Sequence, residues 1–226
     1  MGRTREFDID DALDAALETF WEHGYEATSV QTLCRAMGIQ PGSAYAAFGS
    51  KRDLFRSALR RYAQAVSVEA VRRITSGPTG LAGLQAYFEH LIEAMVDGHR
   101  QWGCLLTNSL VEFAERDPEL AGMVRLHLAN LQAAFEAALT RARVKGALRP
   151  GAGPAQAPLL VAVVQGMNVL AKQRPGRAAL RAITDAAIDG LVRDPVDDLA
   201  ATFGVEQPAD GVHGDHGRRG ADVEGD

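Results

Sequence analysis

Residues 28–51 read Thr28-Ser29-Val30-Gln31-Thr32-Leu33-Cys34-Arg35-Ala36-Met37-Gly38-Ile39-Gln40-Pro41-Gly42-Ser43-Ala44-Tyr45-Ala46-Ala47-Phe48-Gly49-Ser50-Lys51, and their reading decides the fold. Thr28 is placed to cap a first helix, with Gln31 three residues on to complete a capping box. Val30, Leu33, Cys34 and Met37 then fall at i, i+3, i+4 and i+7, one apolar helical face. Gly38 stands where that face ends, as a left-handed stop requires. Only Gly38-Ile39-Gln40 leads to a second helix, whose first turn Pro41 presets. Helix, three-residue turn with glycine, helix is a helix-turn-helix pattern. The second helix is short and built from small residues, so its backbone can approach another molecule closely. Ala44 and Phe48 face inward and Tyr45 outward, which suits a DNA major groove.

Working outward, Asp8 and Gly24 bracket an upstream helix whose apolar stripe is Ile9, Leu13, Ala16, Leu17 and Phe20. Downstream, Gly49 stops the short helix and Ser50 caps a longer one with Asp53 at its third position. From Ser29 to Tyr62 the cations Arg35, Lys51, Arg52, Arg56, Arg60 and Arg61 stand against the single acid Asp53. The whole chain is acidic, with net charge -5, which argues against wholesale coating of nucleic acid but leaves room for a local basic face. A short N-terminal arm carries Arg3 and Arg5, of the kind that reaches the minor groove or phosphates beside a reading helix.

The run from Phe20 through Gly24-Tyr25, Ala36-Met37-Gly38-Ile39, Gly42-Ser43-Ala44-Tyr45 and Phe48 to Ser50-Lys51-Arg52-Asp53-Leu54-Phe55 resembles the DNA-binding domain of the TetR family of one-component repressors. The resemblance implies an all-α protein with a three-helix helix-turn-helix domain over 1–62 and a helical ligand-sensing and dimerisation domain over 63–195; the remainder, 196–226, reads by composition as a disordered tail. It implies a transcriptional regulator, a repressor released from a palindromic double-stranded operator by a small molecule or electrophile. Gly42, Ser43, Tyr45 and Lys51 match positions that meet DNA in that family. One residue departs from the pattern: an aromatic or histidine usually precedes Phe48, and here it is Ala47. That leaves a phosphate contact to be absent or supplied by Arg52.

The remaining chain is helical by periodicity. The Ser76-Gly77-Pro78-Thr79-Gly80 breaker ends the fourth helix, and further helices follow over 81–98, 104–115, 118–143, 155–172 and 177–192. The helix over 155–172 is apolar nearly all round and needs partners on both sides; either it is buried within one subunit or, as the resemblance implies, the last two helices pair with their copies in a homodimer, which is the arrangement expected. Phe88, Trp102, Cys104, Asn108, Glu112, Met167 and Lys172 are the candidate ligand-binding or sensing residues. Cys104 opens a helix, where free amides favour a thiolate. The segments around Cys104 and Lys172 resemble those of family members that respond to electrophiles or oxidants, which implies a sensor thiol beside a lysine. The competing reading is an inert buried cysteine lining a reversible pocket.

No catalytic constellation is visible. His90, His99 and His127 are isolated, and Gly77, Gly80 and Gly83 lack the strand and lysine of a phosphate loop. No cofactor is expected. Asp210, His213, Asp215 and His216 lack the shell of a metal site, as do Asp194, Asp197 and Asp198, so no metal is expected either. The longest apolar candidate, 157–164, is interrupted by Gln165 and falls short of a membrane span. The charged N-terminus shows no signal peptide, and two distant cysteines fit a reducing cytoplasm. A helical adaptor that binds only protein would share this helix pattern, and DNA binding is what separates the two.

Overall fold

The computed structural model describes residues 7–113 and 117–192, the side chains of His99 and Phe113 excepted. Within that span nine α-helices follow in order: α1 (Ile9–His23), α2 (Val30–Ala36), α3 (Pro41–Phe48), α4 (Lys51–Ser76), α5 (Gly80–Val96), α6 (Leu105–Phe113), α7 (Pro118–Val144), α8 (Ala157–Leu170) and α9 (Arg177–Asp189). A 3-10 turn, His99–Trp102, joins α5 to α6, and the only β pairing among the described residues is the isolated bridge between Leu148 and Val192. The arm with Arg3 and Arg5, the acidic run at Asp194, Asp197 and Asp198, the tail and its Asp210, His213, Asp215 and His216 lie outside the described residues.

The caps are those the sequence supplies, with one shift of register. Ser29, not Thr28, caps α2, accepting from the Thr32 amide at 3.0 Å. Thr28 is buried and donates its hydroxyl to the Gly24 carbonyl at 2.6 Å, tying the end of α1 to the hairpin instead. Asp8 caps α1, Gly38 leaves α2 at φ 67°, Pro41 opens α3, and Ser50 with Asp53 forms a complete capping box on α4. In α1 the fully buried positions are Ala12, Ala16, Phe20 and Trp21, while Leu13 and Leu17 are only partly covered. The stripe is therefore rotated toward Trp21, which the body of the protein covers.

Two apolar cores lie along α4. The head core gathers Phe20, Trp21, Leu33, Ala44, Leu54, Phe55, Leu59 and Tyr62, and recruits Cys104 just before α6, Leu105 and Leu106 from α6, and Leu120 and Val124 from α7. The body core gathers Ala70 and Ile74 of α4 with Leu84, Phe88, Leu131, Phe135, Leu160, Met167 and Leu180. The domain boundary expected at residue 62 thus falls inside an unbroken 26-residue helix that serves both cores. Close backbone approach seals the body end of α4. A β-carbon built on Gly83 would stand 2.1 Å from the Ile74 carbonyl oxygen, and one on Gly80 would stand 1.9 Å from that of Ala138.

The expectation that no run approaches a membrane span is corrected by continuity of helix. 3-10 turns flank α8 and extend it to 20 residues, Pro154–Gln173, of mean hydropathy 1.3. One face of this segment is core, through Leu160, Val164 and Met167; the other leaves Leu159, Val169 and Leu170 exposed. Length and composition fit a span, but a helix with one face built into a packed core reads as amphipathic in packing rather than in chemistry.

Candidate nucleic-acid interface and effector groove

The short helix α3 presents Pro41, Gly42, Ser43, Tyr45 and Ala46 to solvent and buries only Ala44. Tyr45 is 53% exposed, large for an aromatic side chain on a packed domain. A β-carbon at Gly42 would meet nothing, so the glycine leaves room for an approaching surface rather than relieving an internal clash. The Gln40 side chain does not cap α3; Pro41 has no N–H and the Ser43 amide donates to the Gln40 carbonyl at 3.0 Å, which leaves the Gly42 amide of the first turn for an approaching phosphate. At the rim, the Lys51 ammonium sits 4.2 Å above the Tyr25 ring, a cation–π contact that fixes the start of α4 beside the hairpin.

Four of the other cations, Arg52, Arg56, Arg60 and Arg61, are engaged by acids of the protein itself. Arg52 donates from Nε and Nη2 to Asp117 at 3.1 and 2.8 Å, and Arg56 reaches both Asp117 oxygens at 3.1 Å. Arg60 pairs with Glu119 at 3.1 Å, and Arg61 grips Asp14 and Asp10 of α1 at 2.6 and 2.9 Å. The first helix therefore neutralises part of the basic row that looked one-signed in sequence. Asp117 is buried, and that alone would raise its pKa. The bonds from Arg52, the Leu120 amide and Arg56 outweigh burial and hold the carboxyl below its ordinary value. Asp117 also caps α7, accepting from the Glu119 and Leu120 amides at 3.2 and 3.3 Å.

Behind the hairpin a groove of about 690 Å³ opens between the end of α1 and the turn and helix α6 of the body. Trp102, Asn108, Glu112 and Lys172, expected to sense ligand, come together there with Trp21 and Arg174. Two direct bonds between head and body border it: Trp21 Nε1 donates to the Gly103 carbonyl, and the Glu26 amide donates to Glu112 Oε1, each at 3.0 Å. Asn108 Nδ2 donates to the Trp102 carbonyl at 3.0 Å and stiffens the wall. Arg174, at φ 52° immediately before Pro175, is the one non-glycine residue in the left-handed region among the described residues. That conformation is disfavoured by its own Cβ and again by the following proline.

The other expected ligand residues lie elsewhere. Phe88 and Met167 are buried in the body core. Cys104 is buried in the head core, 2% exposed, and accepts a long bond of 3.7 Å from the Tyr62 hydroxyl. Lys172 packs on the outer side of the same turn, its Cε 3.5 Å from where a Gly103 β-carbon would sit. The structure brings Lys172 to the neighbouring glycine, while Cys104 turns inward. Sequence reading missed Asp117 and Trp21 as junction residues, because their partners lie 61 to 82 positions away.

Two family descriptions match the chain: "Bacterial regulatory proteins, tetR family" over residues 12–58 and "Tetracyclin repressor-like, C-terminal domain" over 80–187. The HTH-type transcriptional regulator YezE of Bacillus subtilis (strain 168) is 36% identical over 148 residues, covering 66% of this chain and 76% of that one. The HTH-type transcriptional repressor ComR of Escherichia coli (strain K12) is 28% identical over 174 residues, covering 76% and 83%. Among solved structures, a cysteine-substituted TetR family regulator CifR complexed with a 26-base-pair double-strand operator DNA is 29% identical with TM-score 0.71, covering 84% and 100%. A helix-turn-helix head on a helical body, with a bare reading helix, defines a DNA-binding transcriptional regulator. The chain belongs to the TetR family. The relatives named here are regulators, not enzymes.

Proposed function

We propose that this regulator is a homodimeric repressor that reads a palindromic operator with α3 and is released when a small molecule fills the groove between head and body. The observation that carries the reading is the groove itself: the same residues that would line a ligand site also border the bonds holding the head. Gly42, Ser43 and Tyr45 meet bases and phosphates, and Lys51 adds a phosphate contact. Arg52, bound to Asp117, is a positioning residue for α4 rather than a substitute for the contact missing at Ala47. Ligand in the groove beside the packed Trp21 and Trp102 rings strains the Trp21 to Gly103 and Glu26 to Glu112 bonds and favours head orientations that no longer match two half-sites.

The exposed strip Leu159, Ala162, Gly166, Val169 and Leu170 on α8, with the alanines Ala178, Ala182 and Ala186 on α9, supports a helix-on-helix homodimer seam. A buried, hydrogen-bonded Cys104 favours a reversible ligand over an electrophile.

The test is selection from random duplexes followed by anisotropy. An enriched inverted repeat is expected, with binding weakened by Tyr45→Ala and Lys51→Ala. Lys51→Ala should also lower the log–log salt slope by about 0.9, one phosphate's worth. Selection that enriches no sequence, or unchanged binding by both variants, overturns the assignment and leaves the protein-binding adaptor.

A further inference from the structure

The chain holds two tryptophans, Trp21 and Trp102, and both line the groove between head and body. Their rings meet edge to face, with centroids 6.0 Å apart. The Trp21 N–H is already given to the Gly103 carbonyl, so this ring offers the groove its apolar surface. Tyr25 and Phe55 line the same groove, and its volume of about 690 Å³ is that of a small-molecule site with an aromatic wall.

Charge in the groove is separated end to end. The acids lie toward the head: Glu22 stands 3.8 Å from His23, and Glu112 accepts the Glu26 amide, its Oε2 3.9 Å from where a Gly24 β-carbon would be. Leu105 opens α6 and Glu112 lies seven residues on, about 10 Å along the helix axis. The cations gather at the other end. Beside Gly103, just before α6, Lys172 Cε and Asn108 Oδ1 converge, 3.5 and 3.6 Å from where a β-carbon on that glycine would be. Arg174 lines the groove two residues after Lys172, its amide closing a turn onto the Ala171 carbonyl at 2.9 Å. Of the four cations in 172–181, Arg177 and Arg181 are paired with Glu89 and Asp97. Lys172 and Arg174, the two that line the groove, have no ion pair and no side-chain hydrogen bond among the described residues. The positive end of the α6 dipole lies at this same end.

We propose that the groove takes an aromatic carboxylic acid, its ring against Trp21 and Trp102 and its carboxylate held by Lys172 and Arg174 at the Gly103 end. The proposal rests on the reading of the groove as the effector site and adds the charge and shape of the effector. A carboxylate there meets two cations that the protein leaves unmatched, and the guanidinium fork takes both of its oxygens. An amine at that end would meet like charge, and an alcohol would gain little from it. Because the Gly103 carbonyl also holds Trp21, a ligand anchored there acts on the bond between body and head.

The experiment compares phenylacetate, phenethyl alcohol and phenethylamine, one ring in three charge states, on the full chain without DNA. Binding is followed by calorimetry and by tryptophan emission, excited on the red edge of the indole band where the three compounds are transparent. Phenylacetate is expected to bind roughly tenfold more tightly than the alcohol, and the amine most weakly, with emission changing in step with the heat. The preference should fall severalfold in Lys172→Met and in Arg174→Asn and vanish in the double variant. Both side chains are exposed, and asparagine tolerates the left-handed backbone at 174, so these variants keep the fold. Equal binding of acid and alcohol by wild type, a preference that survives the double variant, or heat without any change in emission overturns the proposal. Operator affinity is measured separately. Phenylacetate that binds through both cations and leaves operator affinity unchanged upholds the carboxylate site and overturns the release reading, whereas release by acid and alcohol alike upholds release and overturns the carboxylate site.

Discussion

The two halves of α4 are held in opposite ways. The N-terminal half packs Leu54, Phe55, Leu59 and Tyr62 inward but is steered from outside by ion pairs, Arg52 and Arg56 on Asp117, Arg60 on Glu119, Arg61 on α1. The C-terminal half packs backbone to backbone, with Gly83 against Ile74 at a distance that excludes any side chain. Ion pairs tolerate small displacements because charge attraction varies slowly with distance. Close-packed backbone does not, since repulsion rises within tenths of an ångström. One helix thus has a fixed end in the body and an adjustable end under the reading head, which is the arrangement a switch requires.

The largest effect is expected at the fixed end. Gly83→Ala must push α5 off α4, and overpacking against backbone should cost about 3 kcal/mol or more. Tm should fall by roughly 10 °C. An unchanged Tm would show that the seam can open and would erase the contrast between the halves. At the adjustable end, Asp117→Ala removes a cap and leaves two arginines without their acceptor. About 2 kcal/mol of lost stability is expected, discounted because both arginines keep contact with water. Its sharper signature is functional: operator affinity should fall while Gly83→Ala, where folded, binds normally. The reverse ranking would mean that the body end, not the Asp117 end, sets the head.

A third prediction uses His127, whose Nδ1 shares a hydrogen bond of 2.7 Å with the Ser67 hydroxyl between α4 and α7. Burial, then Arg100, holds its pKa down to about 4. A depressed folded-state value means the neutral form is favoured, so the stability it contributes is complete above its ordinary value of 6.5. It is lost as pH falls from there through about 4, amounting to roughly 3 kcal/mol. His127→Gln should flatten that acid limb, as followed by chemical denaturation at pH 7 and pH 4.5. An equally steep limb in the variant would place the titrating group elsewhere. Arg61→Ala, which breaks only exposed pairs, should change stability least, and a loss as large as that of Asp117→Ala would remove the distinction between buried and exposed acceptors.

The hairpin was legible because its signals are local. The i, i+3, i+4, i+7 spacing from Val30 to Met37, the stop at Gly38 and the proline at α3 need no knowledge of distant chain, and the Thr28 to Ser29 shift is within the tolerance of such rules. The exposed Tyr45 followed from the same periodicity. What stayed hidden was long-range. The basic row from Arg52 to Arg61 could not be seen to be partly neutralised, since one set of acids lies on α1 and the other begins at Asp117. The groove brings together Trp102, Asn108, Glu112 and Lys172, whereas Phe88, Met167 and Cys104 lie in the cores.

Asp117 has one further consequence. Its Oδ1 accepts the two amides that begin α7, and its carboxylate is the docking point for Arg52 and Arg56. Withdrawal of the arginines frees the carboxylate to reorient, and the first turn of α7 loses its fastening in the same event. The amide protons of Glu119 and Leu120 should therefore exchange with solvent deuterium at a rate that tracks how long the head stays docked, and slow further when operator is added. Two backbone positions far from α3 thereby become a clock for repression, readable by mass spectrometry without a label and without knowing the effector.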